Sequence, residues 1–252
     1  MTKLKDKIAL VTGASKGIGA SIAIHLAKEG AKVVVNYASS NSDAEKVVRT
    51  IINEGGTAIA LKGDVSKQAD VDRLFRETQM AFGRLDILVN NAGVFQYLPI
   101  EELTEASFHK QFNINVLGSI LSIQKAVQAF EAKGGGVIVN ISSEASKLPL
   151  PTGSIYSASK AALDAITVSL SKELSGRNIR INSILPGVVD TVGSRQAGFI
   201  GTKAEKDMIS KTPLGRTGQP EDIAKVAVFL ASDQANWING QKISVTGGIF
   251  GL

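Results

Sequence analysis

Thr12-Gly13-Ala14-Ser15-Lys16-Gly17-Ile18-Gly19 joins an apolar run, Ile8 to Val11, to a stretch of helical periodicity from Gly17 to Glu29. Ile18, Ile22 and Leu26 recur at helical spacing, and Gly30 supplies the stop. A short apolar run closed by turn residues reads as a buried strand. The glycines at 13, 17 and 19 allow a sharp turn and close approach of a pyrophosphate to the backbone. The helix that follows offers that anion its free N–H groups and the positive end of its dipole. This strand–turn–helix context makes Gly13, Ser15, Lys16, Gly17, Ile18 and Gly19 candidates for holding a dinucleotide. An ordinary glycine-rich βα turn would share the pattern and bind nothing.

The same alternation continues outward. Apolar runs at Val33–Val35, Ala58–Leu61, Asp86–Val89, Val137–Ile141, Ile179–Leu185 and Ile243–Val245 predict further strands. Helical periodicity covers Asp43–Glu54, Val71–Phe82, Thr104–Phe130, Ser154–Leu174 and Glu221–Ala231. Seven strands alternating with about six helices imply an α/β, Rossmann-type doubly wound parallel sheet with helices on both faces. The continuous β-branched runs agree, because a strand covered on both sides need not alternate. No linker or repeat divides the 252 residues, so one catalytic domain spanning 1–252 is expected. The least regular stretch, 191–218, carries several glycines, and 191–214 is expected to form a flexible lid over the substrate.

Composition excludes several function classes. There is no cysteine, so disulfides, thiol nucleophiles and thiolate metal sites are out, in keeping with a reducing cytoplasm. Two histidines, His25 and His109, argue against a multi-histidine metal centre. The formal charge of +5 is spread without a basic run, which argues against nucleic acid as a partner. No apolar stretch approaches the roughly 20 residues of a membrane span.

Beyond the glycine turn, the strand ends supply further candidates, since ligands of such sheets bind outside the carboxyl ends of the strands. The second strand closes on Asn36-Tyr37-Ala38-Ser39-Ser40, without the acidic residue that would bind the 2′-hydroxyl of NAD. Neutral Asn36, Ser39 and Ser40 as donors, and Lys16 as a cation favour a 2′-phosphate and hence NADP(H). The plainer alternative is a solvated lysine and serines. Asp64-Val65 closes the third strand, where Asp64 either accepts from an adenine amino group or caps the next helix. Asn91, Ala92 and Gly93 close the fourth and let backbone approach the ribose.

Tyr156 and Lys160 stand four residues apart on one predicted helix and share a face. A phenol with a pKa of about 10 is a poor acid at neutrality, and a neighbouring ammonium lowers it. By itself such a pair is often a surface coincidence. Ser142-Ser143 ends the fifth strand, where a hydroxyl either holds a carbonyl oxygen or caps a turn.

These motifs, with NVLG at 115–118, PG at 186–187 and VTGG at 245–248, resemble the classical short-chain dehydrogenase/reductase family over essentially the whole chain. The likeness is nearer to its 3-oxoacyl-carrier-protein reductase and glucose dehydrogenase branch. The resemblance implies a catalytic tetrad of Asn115, Ser143, Tyr156 and Lys160, with Asn113 ranked below Asn115. In it Tyr156 is the acid/base, Lys160 also binds the nicotinamide ribose, Ser143 orients the substrate and Asn115 holds a relay water. It further implies that Pro186, Gly187, Val189 and Thr191 bind the nicotinamide amide, and that the chain is a homotetramer. The activity it implies is NADPH-dependent reduction of a ketone or β-keto substrate. Sugar or secondary-alcohol oxidation and non-catalytic NADP(H) sensing are the alternatives. Two departures stand out: Thr246 replaces a frequent aspartate, and Gly134 sits near a position that is often basic where carrier proteins bind, leaving Arg177 as a substitute. Val94, Phe95, Leu148, Leu150 and Val188 are the expected apolar pocket walls.

Overall fold

The structure, a computed structural model, describes residues 2–132 and 134–249. Seven strands form one sheet: β1 (Ile8–Val11), β2 (Lys32–Tyr37), β3 (Thr57–Lys62), β4 (Ile87–Asn90), β5 (Gly136–Ile141), β6 (Ile179–Pro186) and β7 (Lys242–Val245). The order is β3-β2-β1-β4-β5-β6-β7, and every neighbouring pair is parallel. Nine α-helices are described: α1 (Gly17–Lys28), α2 (Asn41–Asn53), α3 (Gln68–Phe82), α4 (Glu105–Phe112), α5 (Gly118–Glu131), α6 (Ser154–Glu173), α7 (Val192–Gln196), α8 (Lys203–Lys211) and α9 (Pro220–Ala231).

The apolar runs are continuous because successive residues feed two cores. Ala9, Val11, Val33, Val35 and Val89 pack on one face against Ile22 and Leu26 of α1, Ile51 of α2 and Val228 of α9. Leu10, Val34, Leu88 and Ile138 pack on the other against Leu74 of α3 and Ile123 and Phe130 of α5. Side chains of a strand alternate between faces, so both parities must be apolar when both are covered. β1 lies between β2 and β4, so the order reverses there and a crevice opens at the carboxyl ends.

Two stretches differ from the periodicity reading. The helix expected over Thr104–Phe130 is broken by a π-helical turn, Asn113–Leu117, where the Gly118 N–H reaches back to the Asn113 carbonyl. The extra residue turns Asn115 inward, where it is fully buried. The irregular stretch also contains helices: α7, whose N-cap Thr191 forms a capping box with Ser194, and α8, none of whose residues is buried. Met208 and Ile209 are the only large apolar residues of α8, too few for periodicity over so short a stretch to mark a helix. Among the described residues no helix is long and apolar enough to cross a membrane.

Candidate active site

The crevice is built first from the turn after β1. Gly13 and Gly17 both sit at φ +60, and a Cβ on Gly13 would lie 2.8 Å from Ala92 Cα. A Cβ on Gly19 would lie 2.3 Å from Asn91 Nδ2. Asn91 Nδ2 donates to the carbonyls of Thr12 (2.9 Å) and Gly13 (3.0 Å). Thr12 Oγ1 accepts from the amides of Asn91 and Ala92, each at 3.0 Å. The ends of β1 and β4 are thus stitched together beneath the N-terminus of α1, leaving a side-chain-free cradle. Such a cradle fits a pyrophosphate. Thr12, although inside the quoted motif, was not among the expected contacts; a hydroxyl at a strand end is its only sequence signal.

Asn36 has a different task from the one expected. It is buried, its Oδ1 accepts from the Gly13 amide (3.1 Å), and its Nδ2 donates to the carbonyls of Leu61 (3.3 Å) and Gly63 (3.0 Å). Its amide is therefore committed to latching the glycine turn onto β2 and β3 rather than offered to a ribose. Asn36→Ala leaves that amide and those carbonyls without these partners in a buried place and is expected to lower stability by about 2–4 kcal/mol. Urea unfolding checks this; a midpoint matching the wild type would show that the latch carries no stability. Lys16 and Ser39 are exposed at the rim. Asp64 Oδ1 accepts from the amide and hydroxyl of Ser66, closing the turn before α3, and Val65 packs against Gly118.

The catalytic candidates meet at the end of β5. Tyr156, on α6, shares one pocket with Ser143, Lys160, Ile18, Asn91, Gly93, Pro186, Gly187, Val189 and Thr191. Ser143 stands by the Tyr156 phenol in that pocket and lowers its pKa, and Ser143 Oγ accepts from the Ala145 amide at 3.2 Å. Lys160 Nζ donates to the Ile141 carbonyl (2.8 Å) and lies 5.9 Å from the Tyr156 ring centroid. A Cβ on Gly93 would meet Lys160 Nζ at 3.4 Å. Asn115 ties the loop after β4 to the centre: Nδ2 donates to the Val94 carbonyl (2.8 Å) and Ser159 Oγ (3.0 Å), and Oδ1 accepts from the Val94 amide (2.8 Å). Neither Asn115 nor Asn113, which lies at the start of the π turn, lines the pocket of Tyr156; Asn115 reaches it only through Val94 and Ser159.

The electrostatic balance departs from the expectation drawn from spacing. Burial pushes the Tyr156 phenol up to about 12, against Ser143, which lowers it. Burial pushes the Lys160 ammonium down to about 8, with Asp164 opposing. Lys160 is buried and Tyr156 half-buried, and for both the loss of water outweighs their neighbours. Near neutrality the site holds a protonated phenol beside an ammonium.

Around the phenol stands an aromatic wall. Tyr97 and Phe95 lie with ring centroids 5.9 and 6.0 Å from that of Tyr156, and Phe199 lies 5.5 Å from Tyr97. Tyr97 and Glu144 were not singled out in the sequence, and Phe199 only as part of the lid. They come together from separate segments and share no motif. Val94, Leu148, Leu150 and Val188 line the pocket as expected. Thr246 backs Gly187, where a Cβ would meet Thr246 Cα at 3.1 Å. Arg177 is paired with Glu131. Among the described residues no three His, Asp or Glu side chains converge to hold a metal ion.

Known proteins resemble this chain over nearly its whole length. A family model described as enoyl-(acyl carrier protein) reductase matches residues 13–249. An uncharacterised oxidoreductase of Methylorubrum extorquens is 49% identical, with 99% of this chain and 100% of that one covered. Hydroxynaphthalene reductase-like protein Arp2 of Metarhizium majus is 40% identical over 97% of this chain and 95% of its own. A 7α-hydroxysteroid dehydrogenase solved with NADH and 7-oxo glycochenodeoxycholic acid superposes with a TM-score of 0.93 at 36% identity, covering 98% of this chain and 95% of its own. A short-chain dehydrogenase/reductase from Serratia marcescens gives 0.91 at 36% identity, covering 98% and 99%.

Proposed function

The chain belongs to the classical short-chain dehydrogenase/reductase family of oxidoreductases, and from that premise we propose that it is an NADPH-dependent carbonyl reductase acting on a ketone or β-keto substrate. The observation that carries this reading is the Ser143–Tyr156 hydroxyl pair, with Lys160 beside it, at the mouth of a glycine cradle. Two hydroxyls lining one pocket offer a place for one oxygen atom, which suits a carbonyl on its way to an alkoxide. When bound, the nicotinamide supplies the hydride that the carbonyl carbon receives. Tyr156 gives its phenolic proton to the carbonyl oxygen, Ser143 fixes that oxygen, and the Lys160 ammonium favours the phenolate left behind. Asn115 holds the 94–95 segment in place. The cofactor would lie over Gly13, Gly17, Gly19 and Ala92, with Gly93, Gly187 and Thr191 nearer the reacting end.

Preference for NADPH is supported by Lys16 and Ser39 at the rim and by the lack of an acidic residue over 36–40. Thr191, Ser194, Phe199 and Met208 line the pocket, so the 191–214 segment serves as its lid. The protonated phenol supports reduction over alcohol oxidation, which needs the phenolate. The test is oxidation of NADPH and NADH across a panel of ketones. NADPH is expected to win by at least about tenfold in kcat/KM, and Lys16→Ala to remove about tenfold of it, the size of one charge-assisted contact. Equal use of both cofactors would overturn the preference. Tight cofactor binding with no turnover on any carbonyl would favour a sensing protein.

A further inference from the structure

Glu144 follows Ser143 directly and opens the short turn Glu144–Ser146. The residue is 3% exposed, yet its Oε2 has no hydrogen-bond partner. Lys147, three residues on, turns away and gives its Nζ to Ser244 Oγ at 2.8 Å. A buried carboxyl oxygen without a protein partner is rare and calls for an explanation. Four other buried side-chain atoms are orphaned among the described residues: Gln111 Nε2, Ser157 Oγ, Asp164 Oδ1 and Arg177 Nε. None of those residues lines the pocket of Tyr156, whereas Glu144 does. Most of the remaining wall is apolar, from Phe95, Tyr97, Leu148, Leu150 and Phe199. The hydroxyls of Thr191 and Ser194 are already bonded within their own turn. Pockets of this kind orient ligands through a few placed polar groups.

We propose that Glu144 is a specificity-determining residue that accepts a hydrogen bond from the substrate. It selects carbonyl compounds bearing a donor, a hydroxyl or a protonated amine, close to the reacting carbonyl. Its adjacency to Ser143 sets that closeness. The inference rests on the carbonyl-reductase reading and narrows it to a substrate class.

The test measures kcat/KM with NADPH for an α-hydroxyketone, the matching α-aminoketone and the plain ketone, in the wild type, Glu144→Gln and Glu144→Ala. The wild type is expected to favour at least one donor-bearing ketone over the plain one by about tenfold or more, mainly through KM, as sites built around a substrate donor do. In Glu144→Ala that ratio falls to about one. Glu144→Gln keeps part of a hydroxyl preference and loses an amine preference, which separates the two sources of the donor. Thermal melting reports whether each variant folds; if the alanine variant does not, the isosteric glutamine variant carries the test through the amine-to-plain-ketone ratio. A wild-type ratio near one for both donors, or a ratio unchanged in folded Glu144→Ala, overturns the proposal while leaving the reductase reading intact. A wild type that oxidises NADPH with no carbonyl at all removes the reductase reading itself.

Discussion

Tyr156→Phe is expected to lower kcat for carbonyl reduction by about 10²–10⁴-fold, the range that a positioned proton donor contributes. The variant removes one oxygen and leaves the ring against Phe95 and Tyr97, so the pocket keeps its shape. Affinity for NADPH should stay within about twofold, because the lost interaction acts in the transition state. The pH profile sharpens the test. Burial holds the phenol at about 12, so the acid is fully protonated through neutrality. Lys160, held down to about 8 by burial, is an ammonium below that pH and discharges as the pH rises through it. The cation favours the phenolate formed when the proton leaves. Reduction should therefore be flat below about pH 8 and fall above it, while alcohol oxidation, which needs the phenolate, rises. Steady-state rates from pH 6 to 10 on the wild type and the variant check this. A phenylalanine variant that keeps most of its activity, or a wild type whose reduction climbs through pH 8–10, would remove Tyr156 as the acid.

The parts of the fold that the sequence revealed are those buried on two sides. Ile8–Val11 and Val33–Val35 are apolar at both parities because two cores claim them, and that leaves a signal in any short window. The break at Asn113–Leu117 leaves none: an inserted residue shifts the apolar face by part of a turn, and periodicity over the whole stretch averages across it. Motif spacing likewise put Ser143, Tyr156 and Lys160 in one place, since one helix and one strand end carry all three. It did not reveal their charge balance, which depends on how much water the finished pocket excludes. Asn36 shows the same limit. Its neutrality was legible, but its bonds to Gly13, Leu61 and Gly63 exist only once three strand ends are assembled.

Gly19→Ala tests that assembly most severely. A methyl group there would stand 2.3 Å from Asn91 Nδ2 and 2.8 Å from the Gly13 carbonyl oxygen. The first neighbour is the donor that joins β4 to the ends of Thr12 and Gly13, and the second is the backbone of the turn itself. Neither is the loose end of a flexible side chain, so relief requires the turn and the strand end to part. Overpacking of this kind costs about 1–3 kcal/mol, which in a chain of this size lowers Tm by roughly 2–10 °C. Parting the turn also withdraws the backbone amides proposed to face the phosphates, so the Kd for NADPH should rise by about a hundredfold or more. Gly176→Ala is the matched control, because a Cβ there meets nothing within 4 Å. Calorimetry and cofactor titration on both variants separate the two effects. Wild-type NADPH affinity in folded Gly19→Ala would mean that the dinucleotide does not rest on this turn, and the assignments built outward from it would have to be given up.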